Sequence, residues 1–189
     1  MADLDEVTNI VTLAFATDPL WSVALARPDG RIDHQGAFWR FMIGGALRYP
    51  ETWLTEGGEA TSVWIPPGEI EMSSEQDDRV REFVFEQLGP TAEKCIELMA
   101  RFDAAHPRDE PHYYLSFVAT HPDHRGYGIG TRLLAQNLAT VDEQHLPAYL
   151  ESSNPENNDR YRGLGFEPVG AFSYPGHGPE VTTMWRSAR

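Results

Sequence analysis

The segment His121-Pro-Asp-His-Arg-Gly-Tyr-Gly-Ile-Gly-Thr-Arg-Leu-Leu134 combines residue types and spacing that can grip a phosphate. Closely spaced glycines that lead from a strand into a helix expose backbone N–H groups at the positive end of that helix. The amides point at an anion, and the glycines let it come close. The flanking sequence supplies both elements. Tyr113 to Ala119 is a short, β-prone apolar run, and Ile129, Leu133, Leu134, Leu138 and Val141 repeat at helical spacing. The glycines at 126, 128 and 130 do not fit the G-x-G-x-x-G of a dinucleotide site. No Gly-Lys-Ser/Thr follows, so the loop is not that of a nucleoside triphosphate either.

The rest of the chain must position this loop. Leu4, Val7, Ile10, Val11 and Phe15 predict a first helix that stops at Asp18-Pro19, because the residue before proline is pushed out of helical geometry. A second helix is expected over Ile32–Leu47, with Phe38, Phe41, Met42 and Ala46 on one side. Thr52–Thr55 and Thr61–Ile65 read as strands around Glu56-Gly-Gly-Glu59, ended by Pro66-Pro67-Gly68. A helical region over Ser74–His106 is broken at Gly89-Pro90. After the Tyr113–Thr120 strand and the helix come a strand at Ala148–Glu151, a short helix at Asn157–Gly163 and a strand at Phe166–Phe172. The loop Ser173–Pro179 precedes a closing strand at Thr182–Arg186. This order predicts a mixed α/β sheet with a strand–helix–strand crossover and antiparallel hairpins at both ends.

Composition narrows the function. At 189 residues a single domain is expected, with no repeat or linker inside it. Fifteen basic against 29 acidic side chains give a net charge of −14. That disfavours nucleic acid and favours cationic substrates, although acidity also serves solubility. No apolar run suits a membrane span, and the acidic start Met1-Ala-Asp-Leu-Asp-Glu does not read as a signal peptide. Cys95 is the single cysteine, so a disulfide scaffold is excluded and a cytoplasmic location is expected. No metal-ligand pattern stands out.

Arg125-x-x-Gly128-x-Gly130, preceded by a strand and Pro122 and followed by an amphipathic helix, resembles the acetyl-CoA signature of the GNAT N-acetyltransferase superfamily. Ala148-Tyr-Leu-Glu-Ser-Ser-Asn-Pro-Glu-Asn157 and Tyr161-Arg-Gly-Leu-Gly-Phe166 resemble that family's later strand, asparagine contact and Tyr-x-x-x-Gly-Phe segment. Ala14-Phe15-Ala-Thr-Asp18-Pro19, Ser62-Val-Trp-Ile-Pro-Pro67 and Ala105-His106-Pro107 are similar to the subgroup containing puromycin N-acetyltransferase. The resemblance covers nearly the whole chain, with its sharp motifs in the second half and an acetyl-CoA core at about residues 110–170. It implies a GNAT fold: a mixed sheet of six to seven strands with flanking helices and splayed central strands. The family usually opens with a strand, whereas helical spacing here begins almost at Met1: either that strand is absent or the sequence starts downstream of the family's usual start.

The resemblance implies transfer of an acetyl group from acetyl-CoA to the primary amine of a small molecule, an antibiotic or metabolite, with no metal. It places Val118, Ala119 and Thr120 along the pantetheine arm, with the Val118 N–H as oxyanion donor. It puts Arg125, Gly126, Tyr127, Gly128, Ile129, Gly130 and Thr131 around the pyrophosphate, and Asn157 on the pantetheine or adenylate arm. Tyr161, whose phenol stays protonated at neutral pH, matches the general acid that also touches the cofactor. The glutamate that some members carry on the central strand is replaced here by Tyr114, which is assigned to the substrate pocket. Glu151 is left as the candidate base, acting through water, with His112 as an alternative that reads as a surface histidine.

Asp18, Trp21, Trp39 and Trp64, with the loop near Tyr174 and His177, are expected to surround an organic cation. Each tryptophan also fits a core position, Tyr161 a packing role and Asn157 a helix cap. Two other functions stay open: acetylation of protein or peptide amines, and a non-catalytic acyl-CoA-binding regulatory module. Homodimers are common in the family, but no self-complementary motif is visible.

Overall fold

The computed structural model describes residues 2–189. Asp3 accepts hydrogen bonds from the amides of Asp5 and Glu6 and so starts α1 (Leu4–Phe15). Asp18, just past its end, does the same for Leu20 and Trp21 and opens α2 (Trp21–Ala24), a turn too short to show in apolar periodicity. The next helix, α3 (Gln35–Ala46), starts three residues later than Ile32, which is exposed. A hairpin follows, β1 (Thr52–Leu54) with β2 (Ala60–Ile65). A capping box between Ser73 and Gln76 begins α4 (Ser74–Leu88), and Gly89, with φ of 55°, ends it. After Pro90 comes α5 (Ala92–Ala105), which stops at His106-Pro107.

The second half follows the expected order closely: β3 (Tyr113–Thr120), α6 (Ile129–Glu143), β4 (Ala148–Ser152), α7 (Asn158–Gly163), β5 (Glu167–Ser173) and β6 (Glu180–Arg186). The six strands form one sheet in the order β1-β2-β3-β4-β6-β5. Only β3 and β4 run parallel, joined through α6, and the hairpins lie at both edges as anticipated. Among the described residues no strand precedes α1. One face of the sheet packs on α1, α3 and the α4–α5 pair through Val7, Phe38, Trp39, Ile43, Val84 and Phe117. The other packs on α6 through Leu134, Leu138 and Val141.

Two local features shape the middle of the sheet. β3 and β4 pair only at Tyr113–Leu115 against Ala148–Leu150, after which the strands part. The register of β2 against β3 steps from Trp64↔Leu115 to Val63↔Phe117, leaving Ser116 as the extra residue of a β-bulge. The bulge turns the strand over. Tyr113 and Leu115 pack on the α6 side, whereas Phe117 and Ala119 pack on the α1–α3 side.

The same reversal reaches the backbone. Tyr113 N–H donates towards β4, to Pro147 O at 3.0 Å. Beyond the bulge His121 N–H donates towards β2, to Glu59 O at 2.8 Å. By the two-residue period of a strand, Ala119 therefore also faces β2, while the N–H groups of Val118 and Thr120 face the opening between β3 and β4.

Candidate active site

A cavity of ≈ 810 Å³ runs through this opening. Phe15, Trp39 and Phe117 line it on one side of the sheet, and Val118, Leu150 and Tyr161 on the other. Trp21 and Phe102 stack with ring centroids 5.8 Å apart, and Trp21 meets Trp39 edge-on at 4.9 Å, so the wall is largely aromatic. Its charge is one-sided: nine carboxylates line it against one arginine, Arg108.

Burial holds three of those carboxyl groups, Asp18, Glu71 and Glu151, uncharged more than is usual. The Glu151 side chain is only 2% exposed, and burial pushes its carboxyl up to about 8 against the opposing effect of the Tyr114 and Tyr149 hydroxyls, with the nearby Glu71 adding to the rise. Its Oε1 is buried without a hydrogen-bond partner and lies 3.9 Å from His106 Nδ1. Burial likewise raises Glu71 to about 7, although Ser116, the bulge residue, donates to it. Glu71 sits on the strap that follows Pro66-Pro67-Gly68. Arg48 fixes that strap through hydrogen bonds to the carbonyls of Ile70, Glu71 and Met72.

Tyr161 is carried by α7 and walls the cavity opposite α1. Burial pushes its phenol up to about 12, with Asp18 adding to the rise and Arg160 opposing it, so it holds its proton across the neutral range. Asp18 itself is engaged: besides its two amide donors it accepts from Ser153 Oγ at 2.8 Å, which ties the end of α1 to the end of β4.

The glycine loop leads away from β3 at the wide end of the opening. Gly126 and Gly128 hold φ of 86° and 70°, conformations that favour glycine. A Cβ on Gly130 would stand 2.7 Å from Thr120 Oγ1, so the close seat of α6 on β3 requires the third glycine. α6 has no side-chain cap and no acid in its first turn, whereas α1 and α4 have both. Its leading amides are therefore available to an external anion, and no carboxylate there repels one.

The sequence model of the acetyltransferase (GNAT) family matches residues 58–166, from the β1–β2 turn to the start of β5. The chain belongs to this family. Solved structures agree on the fold. An acetyltransferase of Corynebacterium glutamicum, described as histone acetyltransferase HPA2 and related acetyltransferase, is 23% identical with a TM-score of 0.68, covering 100% of this chain and 93% of that one. The polyamine N-acetyltransferase of Drosophila melanogaster is 16% identical with a TM-score of 0.63, covering 99% and 97%. Arylalkylamine N-acetyltransferase 2 of Aedes aegypti is 13% identical with a TM-score of 0.69, covering 98% and 94%.

This GNAT acetyltransferase has the splayed six-stranded sheet that the motifs led one to expect. The family uses acetyl-CoA as donor, and the residues present suit it: an uncapped helix start for the pyrophosphate, and free strand amides at Val118 and Thr120 for the arm. No helix among the described residues is long and apolar enough to cross a membrane.

Asp18, Trp21, Trp39, Tyr114, Val118, Glu151, Asn157 and Tyr161, far apart in sequence, meet at the one cavity. Asn157 precedes α7 but makes no side-chain cap bond; its Oδ1 accepts from Arg160 at 2.9 Å instead. Arg125 turns back to α1, donating to Ala14 O at 2.7 Å, and so staples the loop to that helix end.

Three expectations need correction. Trp64 is not at the cavity: it points to the α6 face, where its indole donates to Asn137 Oδ1 at 3.2 Å. His112 is buried at 8% exposure and lines the cavity, rather than lying on the surface. The Tyr174–His177 loop contributes no wall, since Tyr174 packs with Leu20 and Leu98 and His177 is exposed. The strap bearing Glu71 and the α5–β3 loop line the cavity in its place.

Residues missed in the sequence include Glu71, Ser116 and Arg132. Arg132 folds its guanidinium back onto Tyr127 O at 2.6 Å, beside Gly128. Its place one helical turn beyond Gly128 was the available signal. Glu71 had none, because Arg48 positions it from a different element.

Proposed function

We propose that this acetyltransferase moves the acetyl group of acetyl-CoA directly onto the primary amine of a small, cationic, partly apolar molecule. The observation that carries this reading is a cavity that joins the strand opening to the buried carboxyl group of Glu151, whose Oε1 has no hydrogen-bond partner, inside an acidic and aromatic wall. Its volume lies within the range of small-molecule sites. Excess carboxylate favours a cation, and the tryptophan and phenylalanine faces suit the apolar part of one. The polyamine and arylalkylamine acetyltransferases that share the fold act on amines of this kind. The segments similar to the puromycin-acetylating subgroup supply Phe15, Asp18 and His106 to the same wall.

Acetyl-CoA bound along the opening brings a thioester and leaves a thiolate. Gly126 to Thr131 and Arg132 hold the phosphates, and the strand from Val118 to Thr120, with Asn157, holds the arm. The N–H of Val118 donates to oxygen as negative charge builds on it, a contribution of up to about 3 kcal/mol in a dry site. Glu151 takes one proton from the incoming ammonium; Tyr161 gives one to the departing sulfur and is restored by the second proton, which the newly acetylated nitrogen sheds. Direct transfer is consistent with the chain's single thiol, Cys95, lying in the core, where burial raises it to about 12 and keeps it from carrying an acetyl group.

Thiol release from acetyl-CoA across a panel of diamines, arylalkylamines, aminonucleosides, amino acids and basic peptides tests the reading. Turnover confined to small cationic amines supports it. Preference for peptides makes the chain a peptide acetyltransferase. Tight acetyl-CoA binding without thiol release from any amine makes it a regulatory module.

A further inference from the structure

The amine chemistry uses one buried carboxyl group, Glu151, and leaves a second one idle. That second group is Glu71. Its Oε1 accepts from Ser116 Oγ. Its Oε2 accepts nothing from the described residues and, unlike Glu151 Oε1, is not enclosed by protein. Arg48 is the cation that acts on Glu71, but its guanidinium is taken up by backbone. It donates to the carbonyls of Gly45, Ile70, Glu71 and Met72 and makes no ion pair with the carboxyl group. The rest of the wall offers no substitute. Arg108 is paired with Asp103 at 2.6 Å. His106, 3.2 Å from His112, is held neutral because burial, reinforced by His112 and Arg108 and opposed by Asp103, lowers it to about 4.

The other acids of the wall are not in this state. Asp18 has three donors of its own, and Glu69 accepts from Tyr49 at 2.9 Å. Asp77, Asp78, Asp109 and Glu110 are exposed. Glu71 and Glu151 are therefore the buried pair with acceptor capacity left over. Tyr114, two residues before Ser116 on β3, borders both. Burial and then the charges of Glu151 and Glu71 hold its phenol in the neutral form. One acid comes from the strap and the other from β4, so a ligand in the cavity can meet both at once.

We propose that Glu71 is the specificity residue of the acceptor pocket: with Ser116 it seats a second ammonium, and the substrate is a diamine acetylated on the nitrogen that faces Glu151. This rests on the cavity being the amine site, as set out above. One ammonium suits the anchor better than a guanidinium fork. Oε1 already holds the hydrogen of Ser116, which leaves a single carboxylate oxygen, and the serine oxygen can accept a further hydrogen from the same ammonium.

Initial rates with linear diaminoalkanes, each set against the alkylamine of the same length, and with aminoalkylguanidines test the anchor. The best diamine should exceed its matched monoamine in kcat/KM by about 30-fold or more. In Glu71→Gln that ratio should fall at least about tenfold, through KM for the diamine, with KM for acetyl-CoA within about twofold. A ratio near one in the wild type, an unchanged ratio in the variant, or an aminoalkylguanidine preferred over every diamine overturns the anchor.

The monoacetylated diamine, which carries a single ammonium, checks the seat without turnover. Burial holds Glu71 at about 7, with Ser116 and Arg48 opposing the rise. Tyr114, Glu151 and Glu69 stand around it, as do Asp77 and Asp78 at the start of α4. At pH 6.5 a cation seated there displaces the Glu71 proton. Calorimetry in two buffers of different ionisation enthalpy should find about 0.7 of a proton released by the wild type and close to none by Glu71→Gln. No release from the wild type overturns the anchor. If the wild type acetylates no amine at all, the acetyltransferase reading falls instead and the proton count decides the anchor alone. Should the variant fail to fold, the wild-type rate ratio and proton count still decide it.

Discussion

Glu151→Gln separates a buried base from a merely structural acid, because the two differ in the sign of a pH effect. Burial takes the Glu151 carboxyl from 4.5 to about 8. A displacement of that size corresponds to about 5 kcal/mol in favour of the protonated over the ionised form. The folded chain holds this proton more tightly than the unfolded chain does. Between about pH 4.5 and pH 8 stability therefore falls as pH rises, and above pH 8 the full cost of an ionised Glu151 is present.

Glutamine still accepts from Tyr114 but has nothing to ionise. Glu71 shares part of the repulsion, so a gain of at least about 2 kcal/mol is expected for the variant at pH 8.5, with little difference at pH 5. For a chain of this size that is a rise in Tm of roughly 4–8 °C. In steady-state assays kcat/KM of the wild type should climb through about pH 8. The variant should lose that limb and run about 10²- to 10³-fold slower at pH 8.5. A variant no more stable than wild type at pH 8.5 refutes the buried-charge argument, and one with unchanged kcat/KM refutes the base.

Other perturbations test the remaining parts. Tyr161→Phe should cut kcat by about 10² or more while calorimetry finds acetyl-CoA affinity within about twofold; an equal loss of binding would make Tyr161 a packing residue. Gly130→Ala sets helix propensity, which favours alanine by about 1 kcal/mol, against a Cβ 2.7 Å from Thr120 Oγ1. The contact should win, with a net loss of about 1–2 kcal/mol in urea unfolding. In a Thr120→Ala background the same change should become stabilising, and a loss that persists there refutes the contact. Asn137→Ala leaves the Ser62 hydroxyl and the Trp64 indole N–H buried without an acceptor, so about 2–4 kcal/mol of stability should be lost. Because those groups lie away from the cavity, kcat/KM should stay within about twofold; a rise in amine KM would return Trp64 to the substrate site.

Local signals made half of this site readable and tertiary ones hid the rest. The glycine loop could be read because its chemistry is local: positive φ at Gly126 and Gly128, an uncapped helix start and a tight seat at Gly130 all lie within a few residues. Tyr161 and Asn157 belong to a compact motif, and both line the cavity. Glu71 depends on Arg48, over 20 residues away on another element, and the His106–His112 pair is closed by a loop that carries no apolar period. Trp64 was placed wrongly because alternation tells which residues share a face, but not which face meets the substrate.

The bulge at Ser116 hid the most. No glycine or proline marks it, yet it turns β3 over between Leu115 and Phe117 and reverses the side chains and amides beyond it. An unbulged strand of the same sequence would aim the Val118 N–H at β2, where the ladder would consume it. The irregularity that makes the strand hard to read is therefore what turns that amide out of the ladder and into the opening between β3 and β4.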